Sequence, residues 1–308
     1  MALVVGVEIP DADLAATVGS GFDRLPERLD AAGVGYVLLG ADRAAGTGPA
    51  LSPALTGTVF ARRTTGLGLV AAASPQRDHP YNLARRIASL DHIARGRAGW
   101  LALRADAAIA LGAPDRGSWA PARGPRGAEL LADAVTAVRA LWRTWPLESL
   151  TLERPARVRP PEAELRYADH TGAYASTGPL NVPTTPQGEP VVFWEHADGD
   201  GAHAATADLV LAGPGDEPAA SAHLRLDAAD PALRERITAL ADRPGGTGVL
   251  IRVGRADVGG FLTGTLPALA AAGVVRLRDT ADPEPLRVHL GIDRRAEPDP
   301  RRWRPVYA

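Results

Sequence analysis

Along this chain, short apolar runs alternate with segments in which apolar residues return every three or four positions. Leu3–Val7, Val34–Leu39, Gly66–Ala73 and Ala98–Leu103 are the first four runs. Each is apolar throughout, which predicts a strand buried on both faces. Between them, helical spacing predicts a helix around Leu25–Ala32, one over Pro53–Arg62 and one over Asn82–Ala94. In the last of these, His79-Pro80 biases His79 toward extended backbone and sets the start. Leu83, Ile87, Leu90 and Ile93 fall on one face, and Arg85, Arg86, Asp91 and Arg95 mostly on the other. Gly96 stops it, and Arg97–Trp100 leads into the fourth strand.

The middle is less regular. Ala105–Pro125, rich in Gly, Pro and Ala, reads as a long loop. Ala128–Trp142 is a helix with Leu131, Val135, Val138 and Trp142 on one side, and Pro146–Pro190 is an irregular, proline-rich excursion. Strands resume at Val191–Trp194, Asp208–Ala212, Ala222–Leu226 and Gly248–Val253. Pro231–Ala241 reads as a helix capped by Asp230 with Pro231 at its first position. Phe261–Ala272 is a closing helix, and Pro283–Ala308 has little core character, with a tail over 292–308. Eight strands alternating with helices predict an α/β chain, a (β/α)8 TIM-type barrel, as one domain over residues 1–308. No GxGxxG follows the first strand, which argues against a dinucleotide-binding sheet.

Composition narrows the chemistry. With 308 residues and 45% hydrophobic content the core is ample, and a net charge of −2 gives no pull toward nucleic acid or anionic membrane. No cysteine is present, so thiolate metal sites and cysteine nucleophiles are excluded. No basic leader and no membrane-length apolar run is seen, and a cytoplasmic protein is expected.

Certain motifs are specific when taken together. His79-Pro80-Tyr81-Asn82-Leu83-Ala84-Arg85-Arg86, Ala88-Ser89-Leu90-Asp91-His92 and Gly96-Arg97-Ala98-Gly99-Trp100 resemble the bacterial luciferase-like flavin monooxygenases. The similarity is to the nitrilotriacetate and dibenzothiophene-sulfone monooxygenase branch. Arg139–Trp142, His170–Gly172, Gly178–Pro183, Pro186–Gly188 and Leu286–Gly291 agree. The chain is shorter than a typical member, the missing material lying between Asp208 and Gly248. The resemblance implies a luciferase-like barrel, reduced FMN supplied by a separate reductase, O2 activation at the flavin, a small organic substrate and a homodimer. A deazaflavin is a further option for the cofactor.

The resemblance places the flavin over the strand ends, near Asp42, Ser74, Leu101, Arg104, Trp194, Asp198 and Gly201. Here the chain departs from the family pattern. Leu101 and Arg104 replace an Asn and a Thr. Only Ser74 remains of a Ser/Thr-rich turn. Asp198 and Asp200 stand where a Gly-Ser-Ser segment cradles the phosphate, and an expected Tyr near residues 127–128 is absent. Two acids repel a phosphate dianion. The cluster Glu195, His196, Asp198, Asp200 and His203 fits no familiar metal spacing and is expected to be a polar loop. Gly254–Gly260 with Arg252 or Arg255 could hold an anion, although a plain turn is favoured. The arginines at 294, 295, 301, 302 and 304 are expected to be a solvated tail. Two functions follow: an FMNH2-dependent monooxygenase, or a degenerate, non-catalytic paralogue that binds another small ligand or serves as a partner subunit.

Overall fold

The computed structural model describes residues 2–44, 48–107, 124–147, 165–216, 222–243, 246–296 and 303–307. In chain order these form β1 (Leu3–Glu8), α1 (Asp11–Ala16), α2 (Leu25–Ala31), β2 (Tyr36–Leu39), α3 (Pro53–Arg63), β3 (Gly68–Ala73), α4 (Pro80–Ile93) and β4 (Ala98–Ala102). Then come α5 (Gly127–Trp142), β5 (Val191–Glu195), β6 (Leu209–Ala212), β7 (Ala222–Asp227), α6 (Leu233–Ala241) and β8 (Gly246–Arg252). A helical rod of α7 (Val258–Gly260), a π turn (Phe261–Thr265) and α8 (Leu266–Ala271) follows, with β9 (Val275–Arg276) and α9 (Leu286–His289) last. Pro267 explains the π turn: it lacks an N–H and crowds the carbonyl one turn back, so the rod widens there.

Strands β1 to β8 are parallel and close on themselves, because β1 pairs with both β2 and β8. The short β9 pairs with the lower end of β1, through Leu3 and Val4. Alternate strand residues point inward and outward. Outward, Leu69 packs on one helical layer, and Trp100, Val192 and Trp194 pack on a second. Inward, Val4, Tyr36, Leu38, Val70, Leu101, Phe193 and Leu250 fill the lumen. Ring size is matched by glycine: a Cβ on Gly6 would overlap the Tyr36 ring, and one on Gly248 would overlap His223.

The helix from Pro80 holds, and so does its motif. Leu83, Ile87 and Leu90 are buried, each contributing about 1.5–3 kcal/mol. Asp91 reverses the expected pattern. It is fully buried, because its carboxylate accepts from the Ala98 backbone N–H (2.8 Å) and from Gln187 (2.7 Å). Ile93, expected on the apolar face, is 43% exposed. Arg95 and Gly96 take positive φ in the turn. Arg97 donates back to the carbonyls of Ala94 (2.8 Å), Leu67 (2.6 Å) and Thr64 (3.1 Å), closing the ends of α3 and α4.

Three further expectations change. The helix expected from Pro231 begins at Leu233; Asp230 instead accepts from the Ala232 N–H (2.9 Å), a turn one step upstream. Residues after Pro283 do have core character. Leu286 and Leu290 join the lumen cluster, Leu286 reaching toward Gly68 and Gly99 at its base, and α9 is too short for its period to be visible in sequence. Described parts of the expected tail are held as well. Arg295 pairs with Asp208 (3.0 Å), and Arg304 pairs with Asp169 (2.8 Å) and stacks on Tyr167. Arg301 and Arg302 lie outside the described residues, as do most of the Ala105–Pro125 loop with Trp119, and residues 148–164 of the excursion. Between β5 and β6 a 3-10 turn, Gly201–Thr206, replaces a helix, which fits the short spacing. No helix among the described residues is long and apolar enough to cross a membrane.

Candidate functional site

In a (β/α)8 barrel the chemistry sits where the strands end. Inward positions at those ends are Glu8 on β1, Glu195 on β5, Arg225 on β7 and Arg252 on β8, with Asp42 just after β2. Glu8 is fully buried. Its carboxylate accepts from Arg225 Nε (3.1 Å) and Arg252 Nη1 (3.1 Å), and Arg225 Nη2 lies 2.9 Å from its second oxygen. Arg225 continues to Glu195 (2.9 Å) and Arg252 to Asp42 (2.8 Å). A chain of ion pairs thus crosses the mouth from β5 to β2. Three carboxylates face two guanidiniums, a formal excess of one negative charge.

Neighbours respond to that charge. Burial, then Asp42, raises the Asp11 carboxyl to about 6. Arg252 is held above its ordinary value because Glu8 and Asp42 outweigh its burial. One layer down, Tyr36 Oη lies 2.8 Å from His223 Nδ1. Burial, then Glu8, lifts the tyrosine well above 10, and burial, then His289, drops His223 to about 3. The pair is a neutral layer beneath the charged one.

A second centre organises the loop after β5. Asp200 Oδ2 accepts from Trp194 Nε1 (2.8 Å) and the Ala197 N–H (2.9 Å) and pairs with Arg104. Arg104 also donates to the Glu195 carbonyl (3.0 Å) and lies 5.7 Å from the Trp194 ring. A hollow of about 170 Å³ opens beside it, lined by Gln76, Arg104, Arg126, Leu130 and Tyr174. That is below the ~300 Å³ at which ligand pockets usually begin.

The geometry brings two of the residues singled out in sequence, Arg104 and Trp194, together on Asp200 and leaves the others in separate settings. Asp42 belongs to the ion-pair chain. Ser74 is fully buried and its hydroxyl accepts from the Gln76 N–H (3.2 Å), a local turn. Leu101 is 1% exposed inside the lumen, between Ala72 and Phe193. Trp194 faces the outer helices, like Trp100 and Trp142. Asp198 and Gly201 are exposed. His79 caps α4, its Nδ1 accepting from the Tyr81 N–H (3.2 Å). In the Gly254–Gly260 turn carboxylates already hold the donors: Arg255 pairs with Asp23 (2.8 Å) and its N–H donates to Asp13 (2.9 Å). No three His, Asp or Glu side chains converge as metal ligands among the described residues.

A flavin needs a flat cradle over the mouth and donors for its phosphate. The side chains there form closed ion pairs instead, and the exposed acid on the β5–β6 loop opposes a dianion. The residues present do not fit FMN. Sequence reasoning missed Glu8 and Arg225 altogether. Glu8 ends an apolar strand, and Arg225 sits at an inward step of β7 (period two), which is the signal available in the sequence.

The chain matches no protein-family model. It is 36% identical over 147 residues to dibenzothiophene-sulfone monooxygenase of Rhodococcus erythropolis, covering 47% of this chain and 32% of that protein. It is 32% identical over 198 residues to one of the subunits of pristinamycin IIA synthase from Streptomyces pristinaespiralis, covering 64% of this chain and 63% of that one. In fold it resembles EDTA monooxygenase from Chelativorans sp. BNC1, with a TM-score of 0.71 and 18% identity over 95% of this chain and 99% of that one. The chain thus spans about a third to two thirds of the curated relatives it matches. Over these matched segments in sequence, and in its barrel fold, the chain is similar to the luciferase-like flavin monooxygenases.

Proposed function

We propose that this chain is the flavin-free partner subunit of a luciferase-like monooxygenase. The observation that carries this is the ion-pair chain Glu195–Arg225–Glu8–Arg252–Asp42 across the barrel mouth. A flavin ring seated there would strip water and partners from buried charges, at several kcal/mol per ion. A relative whose name is that of a synthase subunit supports the reading. Reduced FMN, delivered by a separate reductase, would then be held in the companion chain.

A second reading, an FMNH2-dependent monooxygenase acting on a small organic substrate, draws on the cationic hollow at Arg104 and Arg126. In that reading Asp42, Ser74, Leu101, Arg104, Trp194, Asp198 and Gly201 are the flavin-facing positions. Anaerobic titration of the purified chain with reduced FMN separates the two. No saturable spectral change up to about 100 μM, a free energy weaker than about −5.5 kcal/mol, is expected. Saturable micromolar binding would overturn the proposal and restore the second reading.

A further inference from the structure

Below the ion pairs of the mouth, polar side chains continue down the barrel. Tyr36 and His223 are fully buried, and His289, on α9 at the base, is nearly so. Burial lowers both histidines and is the largest effect on each, so both rings are neutral. A neutral imidazole carries one N–H and one bare nitrogen, and the hydrogen bonds decide which is which. Tyr36 keeps its phenol proton, and His223 Nδ1 (2.8 Å) is its one hydrogen-bond partner among the described residues. The phenol therefore donates to Nδ1, and the N–H of His223 is at Nε2. His289 Nδ1 meets the Glu284 carboxylate (3.2 Å), which only accepts, so the N–H of His289 is at Nδ1 and its Nε2 is bare. One buried donor and one buried acceptor are left, and neither Nε2 has a hydrogen-bond partner among the described residues. Both lie against β1 at the level of Val4. A Cβ on Gly248 would overlap His223 Nε2 and stand 2.7 Å from the Val4 carbonyl; one on Gly35 would stand 2.7 Å from His289 Nε2 and 2.9 Å from Val4 Cγ1. Gly35 and Gly248 flank β1 on its two sides, bonded to Val5 and paired with Val4. His289 is also the titratable neighbour that acts on His223.

We propose that one internal water joins these two nitrogens, accepting from His223 Nε2–H and donating to His289 Nε2, and that the resulting column is a proton relay between the Tyr36 hydroxyl and solvent at the barrel base. Buried polar groups are rarely left unpaired, and the two rings differ in what they need. Water both accepts and donates, and the Val4 carbonyl, beside His223 Nε2, can take its second hydrogen. A metal ion does not fit, because His223 Nε2 carries a proton. Every bond in the column runs one way: Tyr36 O–H to His223, His223 N–H to water, water to His289, and His289 N–H to Glu284, whose side chain is 40% exposed. One passage breaks the Tyr36 O–H bond, shifts one proton across each link and forms an O–H bond on Glu284; the reverse passage restores the phenol. The layer beneath Glu8 thus exchanges protons with the base while the ion pairs of the mouth stay closed. No link lies in the mouth, so the relay stands apart from the reading of function above.

The test uses the full chain with isotope-labelled histidine at neutral pH. Long-range proton–nitrogen correlation reads the ring tautomers, and cross-relaxation from water to the imidazole N–H reads the bound water. Expected are His223 protonated at Nε2, His289 protonated at Nδ1, and a signal from long-lived water to the His223 Nε2–H. The opposite tautomer at either ring, or no water signal at that proton, overturns the site. Glu284→Gln then tests the relay. Glutamine keeps an accepting oxygen for His289 but cannot take up the proton, and the partly exposed position tolerates the change. Exchange of the His223 Nε2–H with deuterated solvent should slow roughly tenfold or more, with tautomers and water signal unchanged. An unchanged exchange rate overturns the relay.

Discussion

Replacing Glu8 by glutamine keeps the shape of the side chain and removes the charge that two arginines share. Glu8 is fully buried, and its oxygens serve Arg225 and Arg252 at 2.9–3.1 Å. Breaking a buried ion pair from one side costs about 3–5 kcal/mol, because the remaining charge has no partner. Two features reduce that here. The arginine side chains are 26% and 29% exposed, and each keeps a second carboxylate, Glu195 or Asp42. The expected cost is therefore about 2–3 kcal/mol. With a urea slope of about 3 kcal/mol per molar, the midpoint falls by about 0.7–1 M. Equilibrium unfolding followed by tryptophan fluorescence reads this directly, because Trp100, Trp142 and Trp194 are all buried. The triple change Glu8→Leu, Arg225→Leu, Arg252→Leu should recover most of the loss, since it replaces the buried carboxylate together with both its cations and leaves only the partly exposed Glu195 and Asp42 to water. A midpoint shift below about 0.2 M for Glu8→Gln would mean that the mouth is not closed by these pairs, and the flavin-free reading would lose its support.

Other consequences are as direct. Gly6→Ala should cost about 1–3 kcal/mol or more, since the new methyl overlaps the buried Tyr36 ring, and adding Tyr36→Leu should return part of it in a thermal melt. Asp11→Asn should stabilise. The folded carboxyl titrates at about 6 against 3.8 unfolded, so ionisation penalises the fold as pH rises through that window. The gain, at most about 3 kcal/mol, should be complete above about pH 6 and absent near pH 3; a gain that is flat with pH would refute it. Asp208→Asn should destabilise by about 3–5 kcal/mol at neutral pH. Asp208 is 2% exposed and pairs with Arg139 (2.8 Å), Arg287 (3.1 Å) and Arg295 (3.0 Å). Burial raises its pKa, but Arg139 and Arg287 outweigh burial and hold it well below 3.8, so the stabilisation is present above that value and is lost as pH falls below it. The two proteins should therefore converge in stability only in strong acid.

What sequence could reveal here follows the range of each interaction. Strands and helices are legible because their causes are local: continuous apolar runs, a proline at α4's start, a glycine at its end. The boundaries move where a side chain bonds its own backbone, as Asp230 does with Ala232. Leu286 is misread for the opposite reason. Its burial depends on Gly68 and Gly99, far away in sequence, leaving room at the base of the lumen. The same distance problem governs the mouth. Neither Leu101 nor Arg104 reveals the ion-pair chain that spans the mouth. That takes Glu8, Arg225 and Arg252. The two arginines stand 217 and 244 residues from Glu8, and the three meet only because β1 lies next to β8 and β8 next to β7. Exposure misleads in the same way. Ile93 reads as core from its period, and Asp91 as surface from its charge. Both are reversed because Asp91 turns inward to hold the Ala98 N–H, while Ile93 at the helix end points away from the barrel.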